Sequence, residues 1–87
     1  MKIGRGIKKA RVKRYTQVEL ASLTGVTNSY VSLVENGKRG VSMSWLEKVS
    51  YVTDVSIPWI VFESMDEKER VEFDLKYKLI SQDGRTD

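Results

Sequence analysis

Residues 17–38 read Gln17-Val18-Glu19-Leu20-Ala21-Ser22-Leu23-Thr24-Gly25-Val26-Thr27-Asn28-Ser29-Tyr30-Val31-Ser32-Leu33-Val34-Glu35-Asn36-Gly37-Lys38, and their reading decides the fold. Ala21 is small, so a second helix can cross close above it. Gly25 supplies the left-handed backbone that a three- to four-residue turn between two helices demands. Val31 and Val34 stand at i and i+3, share one face of the second helix and pin it to the first. The opposite face of that helix is then held toward solvent, in the placement that lets a helix enter a DNA major groove. The pattern points to a sequence-specific DNA-binding regulator rather than an enzyme.

Working outward from this core, Thr16-x-x-Glu19 is a capping box that starts the first of the two helices, and Thr27 is a good N-cap for a recognition helix over 28–35. Leu20, Ala21 and Leu23 are expected to supply the inward face. Asn36-Gly37 ends the recognition helix, with one of the two in the left-handed conformation. Toward the N-terminus, residues 4–14 predict a helix with Ile7, Ala10 and Arg11 on one side; residues 1–3 are expected to fray. Toward the C-terminus, Ser42 caps a helix with Trp45, Leu46, Val49 and Val52 as its apolar stripe, ended by Asp54. Ser56 caps a fifth helix with Pro58 in its first turn, where a missing amide costs nothing. That helix, Ile57 to Met65, is apolar nearly all round and needs a second surface to bury against.

Two readings of the next segment stand side by side. Val71 to Leu79 alternates apolar and charged residues, which is a strand signal. Glu72/Lys76 and Asp74/Lys78 are acid-before-base pairs at i, i+4, and the acidic Asp66, Glu67 and Glu69 crowd the start, which favour a helix. Helix is the preferred reading. The domain plan is 1–65 for the DNA-binding unit, 66–81 for a C-terminal extension that contributes to dimerisation, and 82–87 for a disordered tail. Trp59, Phe62, Phe73, Tyr77 and Ile80 have too little chain to cover them, so they are the candidate dimer interface.

Composition narrows the classes further. The 87 residues make one small domain without Cys or His, which removes disulfides, thiolate metal sites, zinc fingers and His-based acid–base chemistry. Neither a metal nor a cofactor is expected, and no carboxylate pair sits in a recognisable catalytic setting. No apolar run reaches the roughly 20 residues of a membrane span, and no signal-peptide apolar region follows the basic N-terminus; a cytoplasmic location is the expectation. Charge is distributed unevenly. Residues 1–40 carry nine Lys/Arg against two acidic side chains, and residues 41–87 carry six against ten. A basic front on an acidic back suits a polyanion bound on one side.

Together these residues resemble the lambda-repressor-like (phage repressor and Cro type, XRE) helix-turn-helix family. The carriers are Ile7 with Arg11, Thr16-Gln17-x-Glu19-Leu20-Ala21, Gly25-Val26, Ser29-Tyr30-Val31-Ser32, Glu35-Asn36-Gly37-Lys38-Arg39, Leu46-Glu47-Lys48-Val49 and Val55-Ser56. The resemblance implies an all-α, five-helix domain that binds double-stranded DNA as a homodimer on an inverted-repeat operator, most often as a repressor. It also implies that Gln17 clamps a DNA phosphate to the recognition helix, and that Glu35 pairs with Arg11 in a structural role shared with Ala21 and Gly25. The chain departs from the family pattern in three places. Arg14-Tyr15 stands where a Gly commonly precedes Thr-Gln, Asp54 replaces a Gly, and Leu33 takes a position that is frequently polar.

Base-reading candidates are Thr27, Asn28, Ser29, Ser32 and Leu33. Asn28 can donate to and accept from adenine in a two-pronged pair, and Leu33 can either pack on a thymine methyl or be buried against the first helix. Phosphate candidates are Gln17, Tyr30, Asn36, the Gly37 amide, Lys38 and Arg39, which orient without reading sequence. The alternative function is a protein-binding module on the same fold, such as an antitoxin, with or without DNA binding to its own operator. The apolar fifth helix and the two-sided final segment motivate that alternative.

Overall fold

A computed structural model describes the backbone of residues 2–84 and the side-chain surroundings of residues 2–76. Among the described residues the chain is all helical: α1 (Ile3–Val12), α2 (Gln17–Thr24), α3 (Asn28–Glu35), α4 (Met43–Thr53), α5 (Ile57–Ser64) and α6 (Glu67–Gly84). The final segment is therefore helix, not strand. Its i, i+4 charge pairs and acidic first turn prevail over the alternating pattern. α6 runs to Gly84, inside the stretch read as a tail, and residues 85–87 lie outside the described residues.

Helix starts follow local chemistry closely. The Thr16 hydroxyl accepts from the Glu19 amide at 3.1 Å, and the Glu19 carboxylate accepts from the Thr16 amide at 2.8 Å. Thr27, Ser42 and Ser56 each accept one amide from the first turn of α3, α4 and α5. Gly25 ends α2 with φ 76°. At the end of α3 Asn36 keeps φ −87°, and Gly37 takes the left-handed turn with φ 74°. Asp54 adopts φ 58° at the end of α4, so this non-glycine residue holds the left-handed position itself.

The core is a contiguous cluster: Ile7 and Ala10 from α1, Leu20 and Ala21 from α2, Val31 and Val34 from α3, Trp45, Leu46 and Val49 from α4, and Ile60 from α5. Leu23 is more than half exposed and does not join it, contrary to its expected inward role. Its place facing α4 is taken by Thr24, whose hydroxyl donates to the Leu20 carbonyl at 2.7 Å and accepts from the Trp45 indole at 2.9 Å. The polar residue prevails because a buried indole N–H needs a partner, which leucine lacks.

α1 begins one residue earlier than expected, at Ile3, and it packs unusually close to α3 and α5. A Cβ at Gly6 would overlap the Ile60 carbonyl oxygen, and a Cβ at Gly4 would overlap that of Val34. The buried Ser64 hydroxyl closes the contact with α5. It accepts from the Gly6 amide at 2.9 Å and lies within donating distance of the Ile60 (2.7 Å) and Ile3 (2.9 Å) carbonyls. The α1–α2 connection, where Arg14-Tyr15 departs from the family, is tied down by Tyr15. Its carbonyl accepts from Arg11 at 3.0 Å and its hydroxyl donates to the Val52 carbonyl of α4 at 3.1 Å.

Candidate nucleic-acid interface

α3 is anchored from three sides, and the anchors leave its outer face free. Val31 and Val34 are fully buried, and Ala21 beneath them is buried too. At the C-terminal end, Arg11 reaches across from α1 and meets Glu35 in a two-pronged pair, Nε to Oε2 at 2.6 Å and Nη2 to Oε1 at 2.9 Å. Both residues are only 8% exposed, so the pair sits in the interhelical seam. The third Arg11 donor goes to the Tyr15 carbonyl. From α2, the Gln17 amide donates to Glu35 Oε1 at 3.0 Å. One carboxylate therefore collects donors from α1 and α2, and the end of α3 is held by charge-assisted bonds.

The residues that point away from these anchors are the base-reading candidates. Thr27, Asn28 and Ser29 are exposed, and Ser32 is partly so. Leu33 is 41% exposed, which removes the alternative that buried it against α1. Thr27 uses its oxygen to cap α3, accepting from the Tyr30 amide at 3.0 Å, and keeps its hydroxyl proton for an external acceptor. Asn36 Nδ2 lies 3.4 Å from Ser32 Oγ, so two candidates from different groups meet at the end of the helix.

The phosphate candidates divide differently from their expected roles. The Gly37 amide donates to the Val34 carbonyl at 3.0 Å and the Lys38 amide to the Leu33 carbonyl at 2.9 Å, a closing motif that uses both donors. The Gly37 and Lys38 N–H groups are therefore committed inside the protein. Tyr30 is an organiser: its ring meets Trp45 edge-on at 5.0 Å between centroids, and the Arg39 guanidinium lies 4.8 Å over its centre. Arg39 is thus held beside α3 rather than trailing in solvent. Gln17 is partly buried and its amide is already bound to Glu35, which leaves the carbonyl end and the second amide hydrogen for a ligand.

Sequence reasoning gives Thr24, Tyr15, Gly4, Gly6 and Ser64 no role at the site, yet all of them shape this surface indirectly. A glycine at i and i+2 in a first turn, Gly4 and Gly6, was an available sign that another backbone comes close. Among the candidate dimer residues, Trp59, Phe62 and Phe73 are exposed to about the same degree, each above a third. Phe62 of α5 and Phe73 of α6 pack at 6.2 Å between centroids, with Arg70 4.9 Å over Phe62. The side chains of Tyr77 and Ile80 lie outside the described residues. No group of three or more acidic side chains able to hold a metal stands together among the described residues, and none of their helices is long and apolar enough to cross a membrane.

This arrangement of α2, turn and α3 agrees with comparison by sequence. A helix-turn-helix family profile matches residues 7–60. The chain belongs to the lambda-repressor-like (XRE-type) helix-turn-helix family. Two relatives carry the family name into function. The HTH-type transcriptional regulator SinR of Bacillus subtilis (strain 168) is 42% identical over 74 residues, covering 83% of this chain and 63% of that protein. The protein of the same name from Bacillus licheniformis is 40% identical over the same coverage. The helix-turn-helix chain described here spans less than two thirds of the length of these curated relatives. No solved structure matches it.

Proposed function

We propose that this chain is a sequence-specific, double-stranded DNA-binding transcriptional regulator that acts as a repressor. The observation that carries the reading is the outer face of α3. Thr27, Asn28, Ser29 and Leu33 are exposed on a helix locked by the Arg11–Glu35–Gln17 cluster, and Lys38 and Arg39 follow it directly. In this reading α3 lies in a major groove. Asn28 pairs with adenine N6 and N7, Leu33 meets a thymine methyl, and Thr27, Ser29 and Ser32 bond to base edges or phosphates. Gln17, Asn36, Lys38 and Arg39 hold the backbone and set the register. The relatives are HTH-type transcriptional regulators, which supports the assignment.

The unit of action is a homodimer on inverted half-sites spaced by about 10 bp or a multiple. Trp59, Phe62 and Phe73, with Val71 and Leu75 alongside, leave apolar surface on α5 and α6 that a second copy would cover. Selection of bound duplexes from a random pool, followed by affinity measurement across salt, tests the reading. Enrichment of a two-fold symmetric site with a steep negative slope of log K against log salt is expected. A flat salt response, or no enriched sequence, overturns it. Sedimentation at tens of micromolar tests the dimer; a single 10.0 kDa species would refute it.

A further inference from the structure

We propose that Lys2 completes a backbone-phosphate site with Lys38 and Arg39, so that α1 as well as the helix-turn-helix grips the DNA. This inference rests on the DNA-binding reading above and adds to it a residue outside the motif. A cleft of about 280 Å³ opens between the start of α1 and the loop that follows α3. Its cationic lining comes from Lys2, Lys38 and Arg39, and the other lining residues are apolar or glycine, with no acidic side chain among them.

Lys2 is brought there by Gly37. The Lys2 side chain lies across that residue, with Cδ, Cε and Nζ at 2.8, 3.4 and 3.5 Å from where a Gly37 Cβ would stand. The left-handed glycine that closes α3 therefore also makes room for a cation from thirty-five positions earlier in the chain. None of the three cations has a carboxylate partner among the described residues. Asp66 and Glu69, which border a neighbouring groove with Lys2, accept each other's backbone amides at 2.8 and 3.0 Å. Arg39 is oriented by the Tyr30 ring. Three cations therefore line one cleft that has no acidic side chain and is continuous with the end of the recognition helix. A phosphodiester held there gains attraction from all three and releases counterions from the duplex. Lys2 caps α1 through its backbone alone, without a side-chain bond, so its ammonium is not used in capping.

The test compares the full chain with Lys2→Ala, Lys2→Arg and Lys68→Ala on the selected duplex, with affinity read from low to high salt. Lys68→Ala removes the same charge from exposed α6 and reports long-range attraction alone. The site predicts that Lys2→Ala lowers the magnitude of the salt slope by about 0.9 for each protomer bound, that Lys2→Arg restores it, and that sequence preference does not change. Equal slopes for Lys2→Ala, Lys68→Ala and the unchanged chain would overturn the site while leaving DNA binding intact. Failure of the unchanged chain to bind any duplex would overturn both readings at once.

Discussion

Glu35 shows how one buried residue can serve orientation more than stability. It accepts from Arg11 twice and from Gln17 once, so removing either ion leaves the other without its charge partner in a seam that water barely reaches. Arg11→Met or Glu35→Leu alone should cost about 3–5 kcal/mol in urea unfolding, whereas the double variant should recover most of that loss. DNA affinity should stay reduced in the double variant, because apolar packing does not hold Gln17. Asn28 belongs to the opposite case. It is exposed and is no part of the core, so Asn28→Ala should leave stability unchanged. In competition binding it should lose about 1–3 kcal/mol of discrimination at one base position. Its salt slope should match that of the unchanged chain, since no phosphate contact is removed. Apolar character puts Leu23 on the inward face, yet the buried residue is its neighbour Thr24, selected by the hydrogen-bonding need of Trp45.

At the scale of elements, the closeness of α1 to α5 decides how firmly the platform under α3 is built. The Gly6 backbone lies against the Ile60 carbonyl, and the Ser64 hydroxyl links three backbone groups at that point. Gly6→Ala gains helix propensity of about 1 kcal/mol, yet it forces α1 and α5 apart. Net destabilisation of about 1–3 kcal/mol is expected from chemical denaturation, the scale of overpacking in a tight core. A stabilised Gly6→Ala would show that the two helices slide freely. Helix starts and stops were legible in the sequence because capping is local: Thr16, Thr27, Ser42 and Ser56 act within three residues of themselves. The last helix was less legible, since alternation and i, i+4 charge pairs describe the same residues; the charge pairs and the acidic first turn prevail, and Phe73 of the helix packs beside Phe62.

At the scale of the whole molecule, Glu63 joins three helices. Its carboxylate accepts from Lys9 of α1 at 2.9 Å and from Arg70 of α6 at 3.3 Å. The hydrogen bond from Lys9 does most to hold its pKa below the ordinary glutamate value, aided by the Arg70 charge. The folded protein therefore binds fewer protons at this group than the unfolded chain does. The stabilisation is fully present above the ordinary glutamate value and is lost as pH falls through the lowered one. Thermal melting of the chain and of Glu63→Gln should differ near neutrality and converge in acid over that window; a constant difference would refute the linkage.

The sequence by itself determined the first five helices, the turn at Gly25 and the family, because periodicity, caps and left-handed glycines are short-range properties written in neighbouring residues. It also placed the candidate reading face on 27–33, since a helix with Val31 and Val34 inward has those positions outward. Tertiary structure alone decided that Thr24 rather than Leu23 is buried, that the Gly37 amide is used inside the protein, that Tyr30 orients Arg39, and that Lys2 lies over Gly37. Each of these depends on two segments distant in the chain arriving at the same place, and no local pattern records where a side chain will find its partner.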